Sequence, residues 1–464
     1  MSEEASDWSD FLKEGRAARL ALICLGVWLN AADSLVTATV MPTVGRALGG
    51  YAYFSWATAA YMVGAILSGA TAARLSGRWG LRNVMVAAGL VTAAGCSVSA
   101  LAPGMIVFVA GRAVQGVGSG WIVGACYAAI GAIFPARHVA RIFGVMTAVW
   151  GVATVLGPLV GALFADGGYW RGLFWVFAAQ CGVFIVAALV LLKPGRGPSD
   201  GRAPWVQLGL LVAGVILIAA ADLTGHVAVA AALLVASVIV FIAAVRLPSA
   251  LRGSLLPQAA GDLTSVIGAG YLSYFAMTAA SMGFSVYGPA LLQKLYGLTP
   301  LQSGYAAGLE SVGWTVAALG VAGLRERWHG PVIRLGGACV VGGIALLALT
   351  TRSGPLAAVF VGGAVLGAGF GFSSGLTGRR VIAAAGEGER ELASAGINSV
   401  RLVGNAAGAC LSGMIANLLG MASGVSLASA EATAVWIFAL AIPIALLGAA
   451  GAWRVGAPGV SEVV

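Results

Sequence analysis

Four ionisable residues, Asp33, Arg112, Glu310 and Arg401, lie inside long apolar stretches of the 464-residue chain. Charge is expensive to keep in such surroundings. Where it persists it points to proton relays, ion pathways or counter-charges for a ligand. A carboxylate beside a basic group suits a relay, because protonation releases the partner. At about 1.5 Å of rise per residue, Asp33 lies about 22 Å into its stretch, and Arg112 and Glu310 each about 12 Å into theirs. If stretches cross a core of about 30 Å in alternating directions, these three share one half at similar depth. Arg401 lies about 13 Å in from the other side. Two pairs are therefore expected, Asp33–Arg112 and Glu310–Arg401, each readable as a packing ion pair or as a proton-coupling element. Asn30, Gln115, Tyr274, Tyr287, Trp314 and Asn398 are candidates for a substrate cavity. Tyrosine and tryptophan in such stretches also serve simple packing.

Other chemistries are poorly served. The three lysines, Lys13, Lys193 and Lys294, never follow a glycine, which excludes the phosphate loop G-x-x-x-x-G-K-[ST]. Gly116-Val-Gly118-Ser-Gly120 lies in an apolar stretch, where it reads as close helix packing. His138, His226 and His329 are scattered, and the six cysteines match neither a zinc site nor a disulfide framework. No metal and no cofactor are expected. Energy should come from an ion gradient, and a proton gradient suits the buried carboxylates.

The elements that must hold these residues are membrane helices. Apolar residues make up 59% of the chain and charged residues 9%, far below the roughly 25% charge of a soluble domain. Most of the surface must therefore face lipid. With about 20 apolar residues per crossing, the pattern predicts fourteen spans. Six fall at about 18–44, 52–75, 83–103, 104–134, 138–165 and 170–192; two at 206–221 and 226–245; six more at 264–292, 302–323, 331–350, 355–377, 392–420 and 432–453. The predicted organisation is a tail (1–17), a six-helix bundle (18–192), a linker (193–205), an added helix pair (206–246), a linker (247–263), a second six-helix bundle (264–453) and a tail (454–464). The acidic start MSEEASDWSD is unlike the basic opening of a cleaved signal peptide, so the first span is expected to be retained.

The basic residues orient this map. On one side lie only Arg46, Arg171, Lys294 and Arg352, and Arg112 and Arg401 are within spans. The rest of the 26 share the side of both termini, which the positive-inside rule assigns to the cytoplasm. The net charge of +9 is thus an orientation signal facing anionic lipid, not a nucleic-acid surface.

The same residues carry a family likeness over essentially the whole chain. Asp33 is followed by Pro42 in DSLVTATVMP, and span 2 opens on WATAAY with Trp56 and Tyr61. Span 4 has Arg112-Ala-Val-Gln115-Gly116-Val-Gly118. Span 5 has Gly144 and then Gly157-Pro158-Leu-Val-Gly161, and span 6 opens on Trp170-Arg171-Gly-Leu-Phe174. The second half adds LLQKLYGLTPLQSG (291–304) and SVRLVGNAAGAC (399–410). Seven such motifs in order resemble the fourteen-spanning drug:proton antiporters of the major facilitator superfamily. Three departures stand out. After span 2, Ala73 and Gly77 replace a glycine and an aspartate of a loop in which Arg78, Gly80 and Arg82 match. Ala153 replaces a glycine in span 5, and Glu310 stands where many relatives have proline.

The resemblance implies an all-α major facilitator fold: two six-helix bundles related by a pseudo-two-fold axis, a midplane substrate site between them, and two additional helices at the periphery. It implies a monomeric, proton-coupled exporter of amphipathic small molecules in a bacterial inner membrane, not an enzyme. It also implies gating roles for Gly144, Gly157, Pro158, Gly161, Arg78, Gly80 and Arg82. Alternatives on the same scaffold are export of a lipid, siderophore or biosynthetic product, and proton-coupled uptake. A transport-inactive sensor is disfavoured because no soluble domain is appended.

Overall fold

The computed structural model describes residues 15–195, 204–224, 226–246 and 254–457. The predicted tails up to residue 14 and from 458, the linker segments 196–203 and 247–253, and residue 225 between the added pair of spans lie outside the described residues.

Helices fill nearly all of the described chain. The first half runs α1 (Arg16–Leu48), α2 (Trp56–Trp79), α3 (Leu81–Leu101), α4 (Met105–Ile133), α5 (Ala136–Asp166) and α6 (Trp170–Leu191). An added pair follows, α7 (Trp205–Leu223) and α8 (Val227–Arg246). The second half runs α9 (Val266–Tyr296), α10 (Pro300–Val321), α11 (His329–Thr350), α12 (Leu356–Ala384), α13 (Arg390–Leu418), α14 (Leu427–Ala439) and α15 (Ala441–Val455). The predicted last span, 432–453, is interrupted at Leu440. Pro443 has no N–H for the Ala439 carbonyl four residues back, and its ring clashes there, so the helix breaks at that residue. The predicted start at 52 also moves, because Tyr51–Tyr53 form a 3-10 turn and α2 begins at Trp56.

Both halves repeat one packing plan. In the first, α1 packs on α5, α2 on α4, and α3 on α4 and α6; in the second, α9 packs on α13, α10 on α12, and α11 on α12 and α15. The halves meet where α2 packs on α13 and α5 on α10, while α7 lies against α13 and α2. Glycine allows the closest crossings. A Cβ at Gly116 would overlap the Tyr61 carbonyl, and one at Gly367 the Glu310 carbonyl. Where hydrophobicity does not drive helices together, such backbone contact supplies the packing.

Among the described residues, eleven helical stretches are long and apolar enough to cross a membrane. The helices α10 and α13 are less apolar and fall outside that set. Both pack at the junction between the halves. A helix there must carry polar groups on one face, which lowers its apolar content without removing its need to cross.

The turn between α2 and α3 shows why one family glycine is needed. Gly80 has φ +83°, a left-handed conformation that a side chain resists, and a Cβ there would overlap the Gly195 carbonyl. Ser76 and Arg82 flank this turn half-buried, and Arg78 is exposed. Gly297 does similar work before α10, closing α9 at φ +66°. Two residues later Thr299 caps α10, its hydroxyl accepting from the Gln302 amide and the Gln302 side chain accepting from the Thr299 amide. The G-x-T-P-x-x-S stretch is thus a helix stop followed by a capping box.

Candidate functional site

One polar network joins α1, α2 and α4. Asn30, Asp33 and Thr37 lie on one face of α1, and Arg112, Gln115 and Ser119 on one face of α4, each set spaced i, i+3, i+7. Asp33 Oδ1 accepts from Arg112 Nη1 at 2.8 Å, Gln115 Nε2 at 2.7 Å and Thr37 Oγ1 at 3.4 Å. Arg112 Nη1 also donates to Gln115 Oε1 at 2.7 Å, and its guanidinium lies 4.5 Å from the centre of the Tyr61 ring. Nearby, Tyr61 donates to Ser119 Oγ at 2.6 Å, while Asn30 Nδ2 donates to Ser119 Oγ at 2.8 Å and to the Tyr61 hydroxyl at 3.0 Å. Asp33, Arg112 and Gln115 are each only 2% exposed. Asp33 Oδ2 is buried and has no hydrogen-bond partner among the described residues. A proton arriving at that oxygen would discharge the pair without first breaking a hydrogen bond on Oδ2.

The glycines of the R-x-x-Q-G-x-G motif explain this geometry. Cβ atoms at Gly116 and Gly118 would overlap the Tyr61 carbonyl and Thr92, so α4 runs in backbone contact with α2 on one side and α3 on the other. Only then can Arg112 Nε approach the Ala57 carbonyl, at 3.5 Å.

The second predicted pair does not form. Glu310 Oε2 accepts from Ser285 Oγ at 2.9 Å, and among the described residues no ion pair joins it to Arg401. Instead the Arg401 guanidinium lies 5.1 Å from the Trp314 ring centre, and Phe370 stacks on Trp314 at 5.1 Å and 11°. The reason is register. Glu310 is one turn from Trp314 along α10, and α13 delivers Arg401 to the level of Trp314.

Both helices present these residues away from lipid. The exposed apolar residues of α10 are Tyr305, Val312, Val316 and Leu319. At 3.6 residues per turn, Glu310 and Trp314 lie roughly 150° around the helix from that stripe. On α13 the partly or fully exposed Asn398, Arg401 and Asn405 share one face, with the spacing i, i+3, i+7. A polar stripe open to solvent at membrane depth lines a cavity, not the bilayer. Asn405 was missed from the sequence, although its spacing from Asn398 and Arg401 was the available signal.

The remaining cavity candidates divide. Tyr274 is buried and donates to the Ser374 carbonyl, which ties α9 to α12. Tyr287, 1% exposed, packs 5.2 Å from Phe54 at the end of the bundle remote from both termini. Of the predicted gating residues, Gly157 and Gly161 hold α5 against α1, since Cβ atoms there would come within 2.8 Å of Leu35 and Thr39. A Cβ at Gly304 of α10 would come within 3.0 Å of Pro158, so this part of α5 also touches the opposite half. Gly144 has open space around it.

A second missed residue is Asp222, which falls between the predicted spans 206–221 and 226–245. Its Oδ2 accepts from Trp56 Nε1 at 3.1 Å and its Oδ1 from Asn417 Nδ2 at 2.7 Å. Asn417 also donates to the Ala52 carbonyl at 2.8 Å. One carboxylate thus bridges the first half, the added pair and the second half. A run of small residues ending in an acid, AAAD (219–222), was its signal. Hydrogen bonds to a charged group contribute about 1.5–3 kcal/mol each. Asp222→Ala should therefore loosen this end. An engineered cysteine at position 52 should react several-fold faster with an impermeant thiol reagent, and an unchanged rate would mean the junction does not hold the end closed.

Comparison with known proteins agrees with this architecture. The family model described as Major Facilitator Superfamily matches residues 23–409. A Mycobacterium tuberculosis protein named a probable multidrug-efflux transporter is 30% identical over 443 residues, covering 90% of this chain and 92% of its own. Among solved structures, the nucleoside transporter NupG superposes with a TM-score of 0.67 at 11% identity, covering 94% of this chain and 99% of that one. A bacterial homologue of the human lysosomal transporter Spinster superposes with a TM-score of 0.65 at 14% identity, covering 96% and 97%. The repeated halves, the buried network on α1, α2 and α4, and the family match along most of the chain lead to one conclusion: this multi-pass membrane protein belongs to the major facilitator superfamily, and it is a transporter rather than an enzyme.

Proposed function

We propose that the chain exports amphipathic small molecules in exchange for protons, by alternating access between its two halves. In this reading it crosses the inner membrane of a bacterium fourteen times, with both termini in the cytoplasm, and works as a monomer. Helix α2 and the two less apolar helices α10 and α13 count as crossings, and α14 with α15 counts as one.

The observation that carries the reading is the sealed Asp33–Arg112–Gln115 network. A buried ion pair gains little over apolar packing, while a half-broken one is strongly destabilised. Such a pair is suited to a switch with two settings. Protonation of Asp33 would remove one charge, and Arg112 would keep Gln115 Oε1 and the Ala57 carbonyl as partners. The change in α1–α4 contact can then alter how the halves meet. The contacts at Tyr287, Asp222 and Gly304 close the end remote from the termini, which corresponds to a cavity open to the cytoplasm. Uptake of substrate from that side, followed by proton entry from the other, completes the exchange. The naming of the Mycobacterium tuberculosis relative supports drug-like cargo.

The direct test is proton movement in reconstituted vesicles carrying an internal pH dye. Addition of tetraphenylphosphonium or a rhodamine dye should move protons opposite to substrate. Substrate flux with no proton movement would overturn the coupling. Topology gives a separate prediction. A cysteine placed at position 200 should be labelled only from the cytoplasmic face, and one at 224 only from outside; labelling of position 200 from outside would invert the map.

A further inference from the structure

The second half holds an acid and a base that do not pair with one another among the described residues. Arg401 has no carboxylate within ion-pair distance among the described residues, and it is partly exposed beside Asn398 and Asn405 on the polar face of α13. Its guanidinium lies 5.1 Å from the centre of the Trp314 ring. A turn away on α10, the Glu310 carboxylate has a single recorded hydrogen bond, from Ser285. A charge kept at membrane depth is costly unless something pairs with it. Here an aromatic face lies beside the unpaired guanidinium, on the helix that also carries Glu310.

We infer that the cavity contains an anion subsite at Arg401, and that the transported class includes zwitterionic aromatic molecules carrying a carboxylate or similar oxyanion. The oxyanion takes the guanidinium, which can grip it with two parallel N–H donors. Asn398 and Asn405 flank the guanidinium on the same helix face with amide donors. The planar part of the molecule lies near Trp314 and Phe370, and the cationic end faces Glu310. No charge on either side is then left unpaired. A purely cationic cargo would satisfy Glu310 but leave Arg401 facing a like charge. This assignment rests on the exporter reading only for the direction of transport; the subsite itself is a statement about binding.

The test uses two dyes that differ at one group: rhodamine B, a zwitterion with a free carboxylate, and its ethyl ester, a cation. Binding to the full-length protein in detergent is followed by fluorescence anisotropy. Arg401→Gln should weaken rhodamine B by about tenfold or more, the effect of losing a charge-assisted hydrogen bond, and leave the ester within about twofold. Arg401→Lys should retain a good part of the rhodamine B affinity, and Glu310→Gln should weaken both dyes. Thermal unfolding of each variant shows whether it is folded. Equal loss of both dyes in a folded Arg401→Gln protein, or no loss of either, would overturn the subsite. If the binding pattern appears but rhodamine B is not moved by a proton gradient, the exporter reading fails and the subsite stands.

Discussion

Asp33→Asn is expected to abolish export driven by a proton gradient for every substrate, by about 100-fold or more, equivalent to ~2.8 kcal/mol. Asparagine nearly keeps the shape of aspartate but cannot titrate. Its amide can still accept from Gln115 through one oxygen, so the helices should remain assembled. Arg112 would lose its full counter-charge and keep Gln115 Oε1, the Ala57 carbonyl and the Tyr61 ring. Removing one member of a buried pair costs about 3–5 kcal/mol where nothing else compensates, so some loss of thermal stability should accompany the loss of transport. Binding of rhodamine dyes in detergent should survive, because the Arg401 and Glu310 groups lie in the other half. The measurement is gradient-driven efflux from everted membrane vesicles, normalised to folded protein by size-exclusion chromatography. Full proton-driven export by Asp33→Asn would remove Asp33 from the coupling step. Failure only because the protein aggregates would make the network a packing device. Arg112→Gln should give the same transport defect, since either change leaves the pair unable to form and break.

The second large effect concerns glycines that look alike in sequence. Gly116→Ala should prevent assembly, because the added Cβ would overlap the Tyr61 carbonyl, which is backbone and cannot rotate away. Separating α2 from α4 would also pull Arg112 from the Ala57 carbonyl. We expect a fall in folded yield of tenfold or more, read as the monodisperse fraction of a fluorescent fusion. Gly144→Ala is the control, since a Cβ there meets nothing within 4 Å. Alanine is favoured over glycine in a helix by about 0.8–1 kcal/mol, so this protein should be at least as stable as the parent. If its transport falls while its stability holds, Gly144 acts in gating, as its motif position implies. A stable, active Gly116→Ala protein would contradict the helix crossing described above.

Much of this could be read from the chain alone. Composition and hydropathy determined that it is a helical membrane protein, because lipid leaves every backbone group to be satisfied within a helix. The helical rise counted from the span ends placed Asp33 and Arg112 at one depth, and the ordered motifs identified the superfamily. The placement of segments along the chain was also legible, since a helix rises by a constant amount per residue and charge marks its ends. Partner choice was legible only in part: Asp33 meets Arg112 as expected, but Glu310 does not meet Arg401 among the described residues. Whether a buried acid meets a given base depends on helix rotation and tilt, and Arg401 meets the Trp314 ring while Glu310 meets Ser285. Asp222 showed the same limit. Its significance lies in Trp56 and Asn417, 166 and 195 residues away, and only close packing of helices from three parts of the chain brings them to one carboxylate. Local sequence determines what each helix can offer; which offers meet is decided where the helices cross, by glycines that admit contact and by bulk that refuses it.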